Sequence, residues 1–212
     1  MEQSNACKVV LLGNSGAGKS SIAQRFVYNK FNVYNESTIG ASFFSKKIVI
    51  KIKNAIESEE ATERSVKFHV WDTAGQEKYH SLAPMYYRGA KAAILVYDIC
   101  NKPSFDALGS WFDRLKEFGP NNLQHIIVGN KCDLNDERQV PRQEAEVYAL
   151  NMNCLYLETS ARDNINVEEI FQEIARKLPE NAMEPSNNEA DADLLRLDKS
   201  SRSIHDRICC YS

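Results

Sequence analysis

The segment Gly13–Ser20 (GNSGAGKS) constrains the fold more than any other part of this 212-residue chain. It matches the pattern G-x-x-x-x-G-K-S. It follows a run without polar alternation, Lys8–Gly13 (KVVLLG), and a helical pattern, Lys19–Tyr28, begins within it. Its glycines permit a tight turn whose N–H groups, with the helix N-terminus, form a cradle for anionic phosphate. In such a loop Lys19 reaches the β- and γ-phosphates and the Ser20 hydroxyl ligates Mg²⁺. We therefore predict a strand–loop–helix unit that binds a nucleoside phosphate.

Apolar runs and helical patterns alternate along the rest of the chain up to residue 178. Runs without polar residues are typical of strands that are buried on both faces. The alternation predicts an α/β fold of three layers, a mostly parallel six-stranded sheet with one antiparallel strand and helices on both faces. The predicted strands are Ala92–Asp98, His125–Asn130 and Asn153–Glu158, and the predicted helices are Pro103–Phe118, Pro141–Leu150 and Val167–Leu178.

One region interrupts this alternation. Phe43–Lys53 and Ser65–Trp71 read as two strands that pair antiparallel, and the charged segment Asn54–Arg64 (NAIESEEATER) joins them. Charged runs usually face water, so we interpret this segment as a long solvated hairpin end or a short helix. The alternative is an extension that binds a partner.

Composition divides the chain into one domain, residues 1–178, and a tail, residues 179–212. The tail is rich in Asn, Ser, Asp and Glu and poor in aromatic residues, which predicts flexibility. The net charge of −3 argues against nucleic-acid binding by bulk electrostatics. No run approaches the ~20 apolar residues that a membrane-spanning helix needs.

Two short segments after predicted strands indicate which base is bound. In Asn130–Asp133 (NKCD) the Asp133 carboxylate accepts hydrogen bonds from the N1–H and N2–H₂ groups of guanine. Adenine presents an acceptor at N1, so a buried carboxylate there disfavours it by several kcal/mol. Glu158–Ala161 (ETSA) presents backbone N–H groups to the guanine O6 atom. The pattern therefore predicts a guanine nucleotide.

The segment Trp71–Glu77 (WDTAGQE) carries groups suited to phosphate chemistry. Asp72, at a strand end, is placed to hold the Mg²⁺ shell, the Gly75 N–H to approach the γ-phosphate, and Gln76 to orient the attacking water. Thr38, before the second strand, offers its hydroxyl to Mg²⁺ and its N–H to the γ-phosphate. Such loops are ordered by GTP and released after hydrolysis.

In order and spacing these segments resemble the Ras superfamily, and specifically its Rab branch. Ser37–Phe44 (STIGASFF) and Glu77–Ile99 resemble the early-endosomal Rab subgroup. The resemblance implies a P-loop GTPase that hydrolyses GTP slowly until an activating protein supplies an arginine. It also implies that Phe31 packs against guanine and that Phe43, Trp71 and Tyr86 contact effectors. The resulting assignments are catalysis by Gln76 and Lys19; nucleotide binding by Ser15, Gly16, Ala17, Gly18, Lys19, Ser20, Ser21, Phe31, Thr38, Gly75, Asn130, Lys131, Asp133, Ser160 and Ala161; and Mg²⁺ binding by Ser20, Thr38 and Asp72.

The sequence departs from the family pattern at several positions. Asn14 replaces an acidic residue common in Rab phosphate loops, and Ser15 stands where Ras has glycine but many Rab proteins have serine. Arg162 replaces the usual lysine. The Asn54–Arg64 segment is longer than usual in the subgroup, which leaves the identity of partners more open than the nucleotide chemistry.

The chain ends Cys209-Cys210-Tyr211-Ser212. By its letters this is a C-a-a-X box with serine last, which favours one farnesyl group on Cys209. The Rab resemblance implies geranylgeranyl groups on both cysteines. One lipid anchors weakly without basic residues, and the tail has seven acidic residues against four basic ones, which favours two lipids. The acidic residues are Glu180, Glu184, Glu189, Asp191, Asp193, Asp198 and Asp206, and the basic ones are Arg196, Lys199, Arg202 and Arg207.

The hypothesis that follows is a monomeric GTPase switch on the cytoplasmic face of endosomal membranes and in the cytosol, regulating vesicular traffic, early endosome fusion and endocytosis. Its implied partners are a GTPase-activating protein, a guanine-nucleotide exchange factor, effectors, prenyl escort and dissociation-inhibitor proteins and, through the lipid anchor, the membrane, but no nucleic acid. The alternative is a GTP-binding scaffold with negligible hydrolysis, which the presence of Gln76 disfavours. An ATP-dependent enzyme is disfavoured by Asn130 and Asp133.

Overall fold

The computed structural model describes residues 6–34, 36–52, 62–75 and 83–178. Gln76, most of the Asn54–Arg64 segment, and the tail with Cys209 and Cys210 lie outside the described residues. Among the described helices, none has the length and apolar character that crossing a membrane requires.

Strands and helices alternate along the described part of the chain. The strands are β1 Ala6–Leu12, β2 Ala41–Ile52, β3 Thr62–Thr73, β4 Ala92–Asp98, β5 Gln124–Asn130 and β6 Leu155–Thr159. The helices are α1 Lys19–Tyr28, α2 Ala83–Tyr87, α3 Lys102–Asp106, α4 Leu108–Phe118, α5 Arg142–Asn151 and α6 Val167–Lys177. A 3₁₀ segment spans Cys132–Glu137.

The sheet has six strands in the order β2-β3-β1-β4-β5-β6. β2 pairs antiparallel with β3, and every other pairing is parallel. Each buried strand sends alternate side chains to the two faces, so Val9 packs into a core with α1 and α6 while Val10 packs into a second core with α2, α4 and α5. This confirms the predicted three-layer fold with one antiparallel strand.

The predicted helix Pro103–Phe118 is divided in two around Ala107. Asn101 begins the first part, because its side chain accepts a hydrogen bond from the Ser104 N–H at 3.1 Å. Pro103 lies in the first turn of α3, where its missing N–H costs nothing.

The β2–β3 hairpin extends further than the sequence predicts. Thr62, Glu63 and Arg64 continue β3 and pair with Ile52, Lys51 and Ile50, so β3 includes the last three residues of the segment predicted to join the two strands. The side chain of Arg64 explains part of this difference, since its Nη1 donates to the carbonyl oxygens of Ala175 at 3.2 Å and Leu178 at 2.7 Å. The far end of the hairpin is thereby joined to the C-terminus of α6.

Candidate nucleotide-binding site

A cavity of about 520 Å³ opens at the carboxyl ends of the parallel strands, where α/β sheets bind their ligands. The phosphate loop forms one wall, and the segments around Thr38 and around Asn130 form two others. Of the predicted nucleotide contacts, Ser15, Gly16, Gly18, Lys19, Ser20, Ser21, Phe31, Thr38, Gly75, Asn130, Lys131, Asp133 and Ala161 line it. The structure therefore brings together residues that are far apart in the sequence. Ala17 and Ser160 are buried beside it.

Lys19 begins α1 directly after the left-handed Gly18. Its side chain is buried, and its Nζ donates to the carbonyl oxygens of Gly13 at 2.8 Å and Asn14 at 2.9 Å. Burial lowers the pKa of Lys19 to about 8, although Asp72 opposes this shift. A buried amine held by neutral carbonyl groups is a strong site for an anionic phosphate, whose charge would stabilise the ammonium form.

Ser20, Thr38 and Asp72 come from α1, from the segment before β2 and from β3, and they meet at one corner of the cavity. We call these three residues the metal corner. The Ser20 hydroxyl donates to Asp72 Oδ2 at 2.5 Å and lies 2.8 Å from the Thr38 hydroxyl oxygen. Thr38 Oγ1 lies 3.4 Å from the same carboxylate oxygen.

The carboxylate of Asp72 is only 1% exposed, and its second oxygen, Oδ1, is buried with no hydrogen-bond partner among the described residues. Burial raises the pKa of Asp72, against the opposing effects of the Ser20 hydroxyl and Lys19. A buried carboxylate oxygen without a partner is costly, and a cation beside it removes that cost. Hydroxyl and carboxylate oxygens are the ligands that Mg²⁺ prefers, so the residues present fit Mg²⁺ with nucleotide phosphates as the remaining ligands.

Gly75 lies against the phosphate loop. A Cβ atom added at Gly75 would stand 2.4 Å from the backbone nitrogen of Ser15 and 2.5 Å from the carbonyl carbon of Asn14. Only glycine allows this approach. The backbone of Gly75, the residue before Gln76, therefore lies directly on the loop that would hold the phosphates.

The other end of the cavity is tied together by Asn130. Its Nδ2 donates to the Ala17 carbonyl at 3.0 Å, and its Oδ1 accepts from Thr159 Oγ1 at 3.2 Å and from the Ala161 N–H at 3.3 Å. One side chain thus joins the phosphate loop, β5 and the segment after β6. We call Asn130–Asp133 with Glu158–Ala161 the base end.

The charged groups of the base end are mostly paired. Lys131 Nζ lies 2.6 Å from Asp98 Oδ2. The carboxylate of Asp133 is 8% exposed, and one of its oxygens lies 3.9 Å from Arg162 Nη1. The Ser160 hydroxyl accepts from the Asp163 N–H at 2.9 Å. The backbone N–H groups of Ser160 and Ala161 donate to the Ile165 carbonyl at 3.1 Å and to Asn130 Oδ1 at 3.3 Å.

Several residues that shape the site were missed by sequence reasoning. The indole N–H of Trp111, in α4, donates to Asn14 Oδ1 at 3.2 Å and so holds the phosphate loop from behind. Trp111 stands at a helical spacing typical of core residues, and no sequence signal distinguishes it. Asp98, which pairs with Lys131, could have been identified from the sequence as a site residue. A carboxylate that ends a fully buried strand is unusual.

A second missed group supports the base end from outside the cavity. Arg138 contacts both oxygens of Glu158, at 2.7 and 3.0 Å. The Tyr156 hydroxyl donates to Glu158 Oε1 at 2.8 Å and lies 2.9 Å from the hydroxyl oxygen of Tyr97. This network fixes the strand that leads into Thr159–Ala161.

Phe43, Trp71 and Tyr86 form one aromatic cluster on the sheet face that α2 covers. The ring centroids of Phe43 and Trp71 are 5.4 Å apart, and those of Trp71 and Tyr86 are 5.8 Å apart. Trp71 is buried, while Phe43 and Tyr86 are partly exposed, so the cluster offers an apolar surface next to the nucleotide cavity.

Comparison with known proteins agrees with this geometry. Residues 8–180 match the profile of the Ras family. The Ras-related protein RABF2a of Arabidopsis thaliana is 48% identical over 181 residues, which cover 85% of this chain and 84% of that protein. The Ras-related protein Rab-31 of Rattus norvegicus is 49% identical over 181 residues, covering 85% and 86%. The Ras-related protein Rab5 of Nicotiana tabacum is 45% identical over 203 residues, covering 96% and 94%. The chain belongs to the Ras family, in its early-endosomal Rab subgroup, and is a GTP hydrolase.

Proposed function

We propose that this chain is a Mg²⁺-dependent GTP switch that regulates traffic at early endosomes. In its GTP form it exposes an effector surface at the membrane, and GTP hydrolysis ends that state. The endosomal assignment is supported by the similarity to Rab5 of Nicotiana tabacum and to the other Rab relatives.

The observation that carries the proposal is the metal corner. Thr38 belongs to the segment before β2, and its hydroxyl reaches Ser20 and Asp72 of the phosphate-binding wall. A ligand that joins these groups therefore controls where the Thr38 segment lies. Loss of the γ-phosphate would remove the contact to the Thr38 N–H and release that segment.

Each group of the cavity has a distinct role in the proposed hydrolysis. Lys19 and the N–H groups of the phosphate loop bind the β- and γ-phosphates and stabilise the charge that develops on them. Gly75 brings its N–H to the γ-phosphate, and Gln76 orients the attacking water. Mg²⁺, when bound by Ser20, Thr38 and Asp72, neutralises charge on the phosphate oxygens. No arginine side chain of the described residues lines the phosphate end of the cavity, so a partner protein supplies the arginine that accelerates the reaction.

The aromatic cluster and the terminal cysteines account for the output of the switch. Phe43, Trp71 and Tyr86 lie beside the cavity and form the effector surface. Cys209 and Cys210 carry prenyl lipids that anchor the GTP form to the membrane, whereas escort and dissociation-inhibitor proteins shield those lipids in the cytosol. An exchange factor restores GTP.

The substitution Gln76→Leu tests the assignment of the catalytic residue. We expect unchanged GTP affinity and nearly complete loss of hydrolysis stimulated by a Rab-directed activating protein, because the water is no longer oriented. The measurement is single-turnover hydrolysis of bound GTP. Stimulated hydrolysis at the wild-type rate would remove Gln76 from the mechanism, and tight GTP binding without any hydrolysis in the wild type would favour a static scaffold.

The substitution Ser20→Asn tests the metal ligand. We expect a larger loss of affinity for GTP than for GDP in the presence of Mg²⁺, because the γ-phosphate state depends more on the cation. Equal losses for the two nucleotides would argue against Ser20 as a ligand.

A further inference from the structure

The outer face of the β2–β3 hairpin carries a group of lysines that the nucleotide site does not use. Lys47 and Lys51 of β2, Lys67 of β3 and Lys8 of β1 point to the same side of the sheet, as the strand register requires. We call these four residues the lysine face. Lys47 and Lys67 are direct partners across the ladder, which puts two like charges about 5 Å apart at their Cβ atoms.

The two sides of the hairpin differ in how their charges are neutralised. Lys46 points to the opposite side, where its Nζ contacts the Phe26 carbonyl at 2.7 Å and Glu168 at 3.5 Å. Lys47 and Lys67 are exposed and form no ion pair within the described ranges. Lysines on an edge strand can simply prevent edge-to-edge pairing, but β3 is an internal strand, so that explanation does not cover Lys67.

The tail leaves the domain next to this hairpin. Leu178 is the last described residue before the tail. Its carbonyl oxygen accepts a hydrogen bond from Arg64 of β3 at 2.7 Å. Because β2 is the edge strand, a chain leaving from Leu178 passes only one strand to reach the lysine face. One strand spacing and one side-chain layer amount to about 15–20 Å, which about five or six extended residues span.

The charges of the tail are divided in a way that matches this path. Residues 179–193 contain five acidic residues and no basic residue, whereas every basic residue of the tail lies after position 193. Glu184 is six residues after Leu178, so it and the following acids are within reach of the lysine face. The five acids are Glu180, Glu184, Glu189, Asp191 and Asp193.

We propose that the lysine face binds residues 184–193 of the chain's own tail. Lys47 and Lys67 then gain the counter-charges that they lack within the described ranges. The tail is held along the hairpin next to the aromatic cluster, since Lys8 Nζ lies 4.9 Å from the ring centroid of Trp71. Docking also shortens the tether to the terminal cysteines: 31 residues separate Leu178 from Cys209, but 16 separate Asp193 from Cys209. The longest reach of the domain from its anchor falls from about 110 Å to about 55 Å. The inference does not depend on the GTP switch, and its failure would leave the proposed function intact.

Cross-linking of the full chain with a water-soluble carbodiimide tests the contact, because this reagent joins an amine to a carboxylate only when the two touch. We expect intramolecular links from Lys47, Lys51 or Lys67 to Glu184, Glu189, Asp191 or Asp193, identified by mass spectrometry. Links should decline at about 0.5 M salt, where the Debye length is about 4 Å. Links only to Glu57, Glu59 or Glu60 of the segment between the strands, or links only between two copies, would overturn the proposal.

Two charge reversals form a matched test and control. Lys67→Glu reverses a charge of the lysine face, and Lys116→Glu, the control, reverses one exposed charge on α4. We expect Lys67→Glu to lower the yield of tail links to Lys47 about twofold to fivefold, and Lys116→Glu to leave it unchanged. A second variant leaves the domain intact: replacing the four acids at 184, 189, 191 and 193 by their amides should raise the acetylation rate of Lys67 but not of Lys116. Equal rates for Lys67 in the wild type and in this variant would contradict docking.

Discussion

The base end and the metal corner are parts of one cavity, but they differ in how complete they are without a ligand. At the base end Asn130 uses both ends of its amide, Lys131 is paired with Asp98, and Glu158 is paired with Arg138. At the metal corner three oxygens crowd together and one buried oxygen of Asp72 has no partner among the described residues. Within the described residues, the proposed guanine-selecting surface is therefore fixed by the protein's own contacts, whereas the proposed phosphate-binding surface would be completed by a cation.

This difference has a physical reason. Guanine is the same in GTP and GDP, so in the proposed cycle a fixed base end would bind both nucleotides and keep them in place. The γ-phosphate is present in only one of the two states, and a surface that is complete only with cation and phosphate can report its loss.

The largest expected effect concerns base selection. The substitution Asp133→Asn replaces the carboxylate that we propose accepts from guanine. We expect guanine-nucleotide affinity to fall about 10²- to 10⁴-fold, as for the loss of two charge-assisted hydrogen bonds. The measurement is a competition binding assay with GDP. The control is Asp163→Asn, a nearby exposed carboxylate, which should have little effect. Equal, small losses for both variants would show that the base end does not select guanine through Asp133.

The substitution Asp72→Asn distinguishes the metal corner from the base end, because its effect on the free energy of unfolding should change sign when Mg²⁺ and nucleotide are added. Without nucleotide or Mg²⁺, we expect the free energy of unfolding to rise by about 1–3 kcal/mol, because a buried and incompletely bonded carboxylate is removed. With Mg²⁺ and nucleotide present, the same variant should be less stable than the wild type. Denaturant titrations in both conditions measure this change of sign.

The matched change at the base end is Glu158→Gln, also a carboxylate replaced by its amide. Here we expect the free energy of unfolding to fall by about 1–3 kcal/mol both with and without Mg²⁺ and nucleotide, since Arg138 loses a partner that is present in both conditions. If Asp72→Asn destabilised the free protein as Glu158→Gln does, the metal corner would be as complete as the base end, and the contrast between them would be wrong.

Trp111→Phe removes one donor from behind the phosphate loop and keeps the aromatic packing. The hydrogen bond to Asn14 contributes about 0.5–1.5 kcal/mol, so we expect GDP to dissociate about 2- to 10-fold faster. Combining it with Asn14→Ala should add little, because both changes remove the same bond. Fully additive effects on the dissociation rate would show that the bond is not what couples the two residues.

The smallest expected effect is the uptake of a proton when the nucleotide binds. The pKa of Lys19 in the free protein is about 8, and the phosphates of a bound nucleotide raise it toward its ordinary 10.5. Binding of GDP at about pH 9 should therefore take up close to one proton, and binding at about pH 7 should take up almost none. Calorimetry in two buffers of different ionisation enthalpy measures this uptake, and Lys19→Arg should abolish it. Equal uptake at the two pH values would assign the proton to another group.

How much of the structure can be predicted from the sequence depends on whether a feature is formed by residues close together or far apart in the chain. Buried parallel strands such as Ala92–Asp98 are continuous apolar runs, and Gly13–Ser20 contains its loop, lysine and hydroxyl within eight residues, so local patterns were sufficient for both. The metal corner was predicted because Ser20, Thr38 and Asp72 each stand in a recognisable segment, and the structure brings them within hydrogen-bond distance.

The features that were missed depend on contacts between distant segments. Strand residues 62–64 are stabilised by Arg64 on the end of α6, more than a hundred residues away, and their own composition reads as a charged loop. The Trp111–Asn14 bond joins positions 97 residues apart, and the pair of Tyr97 and Tyr156 joins two strands. Neither has a local pattern that sequence reasoning could use.

The most direct test of the central claim is single-turnover hydrolysis of bound GTP by the full chain, with and without Mg²⁺ and with and without a Rab-directed activating protein. The account predicts slow turnover with Mg²⁺, on the order of 10⁻⁴ to 10⁻³ per second, strong acceleration by the activating protein and loss of both when the cation is chelated. Hydrolysis that continues unchanged after chelation would contradict the account, because the metal corner would then have no part in the reaction.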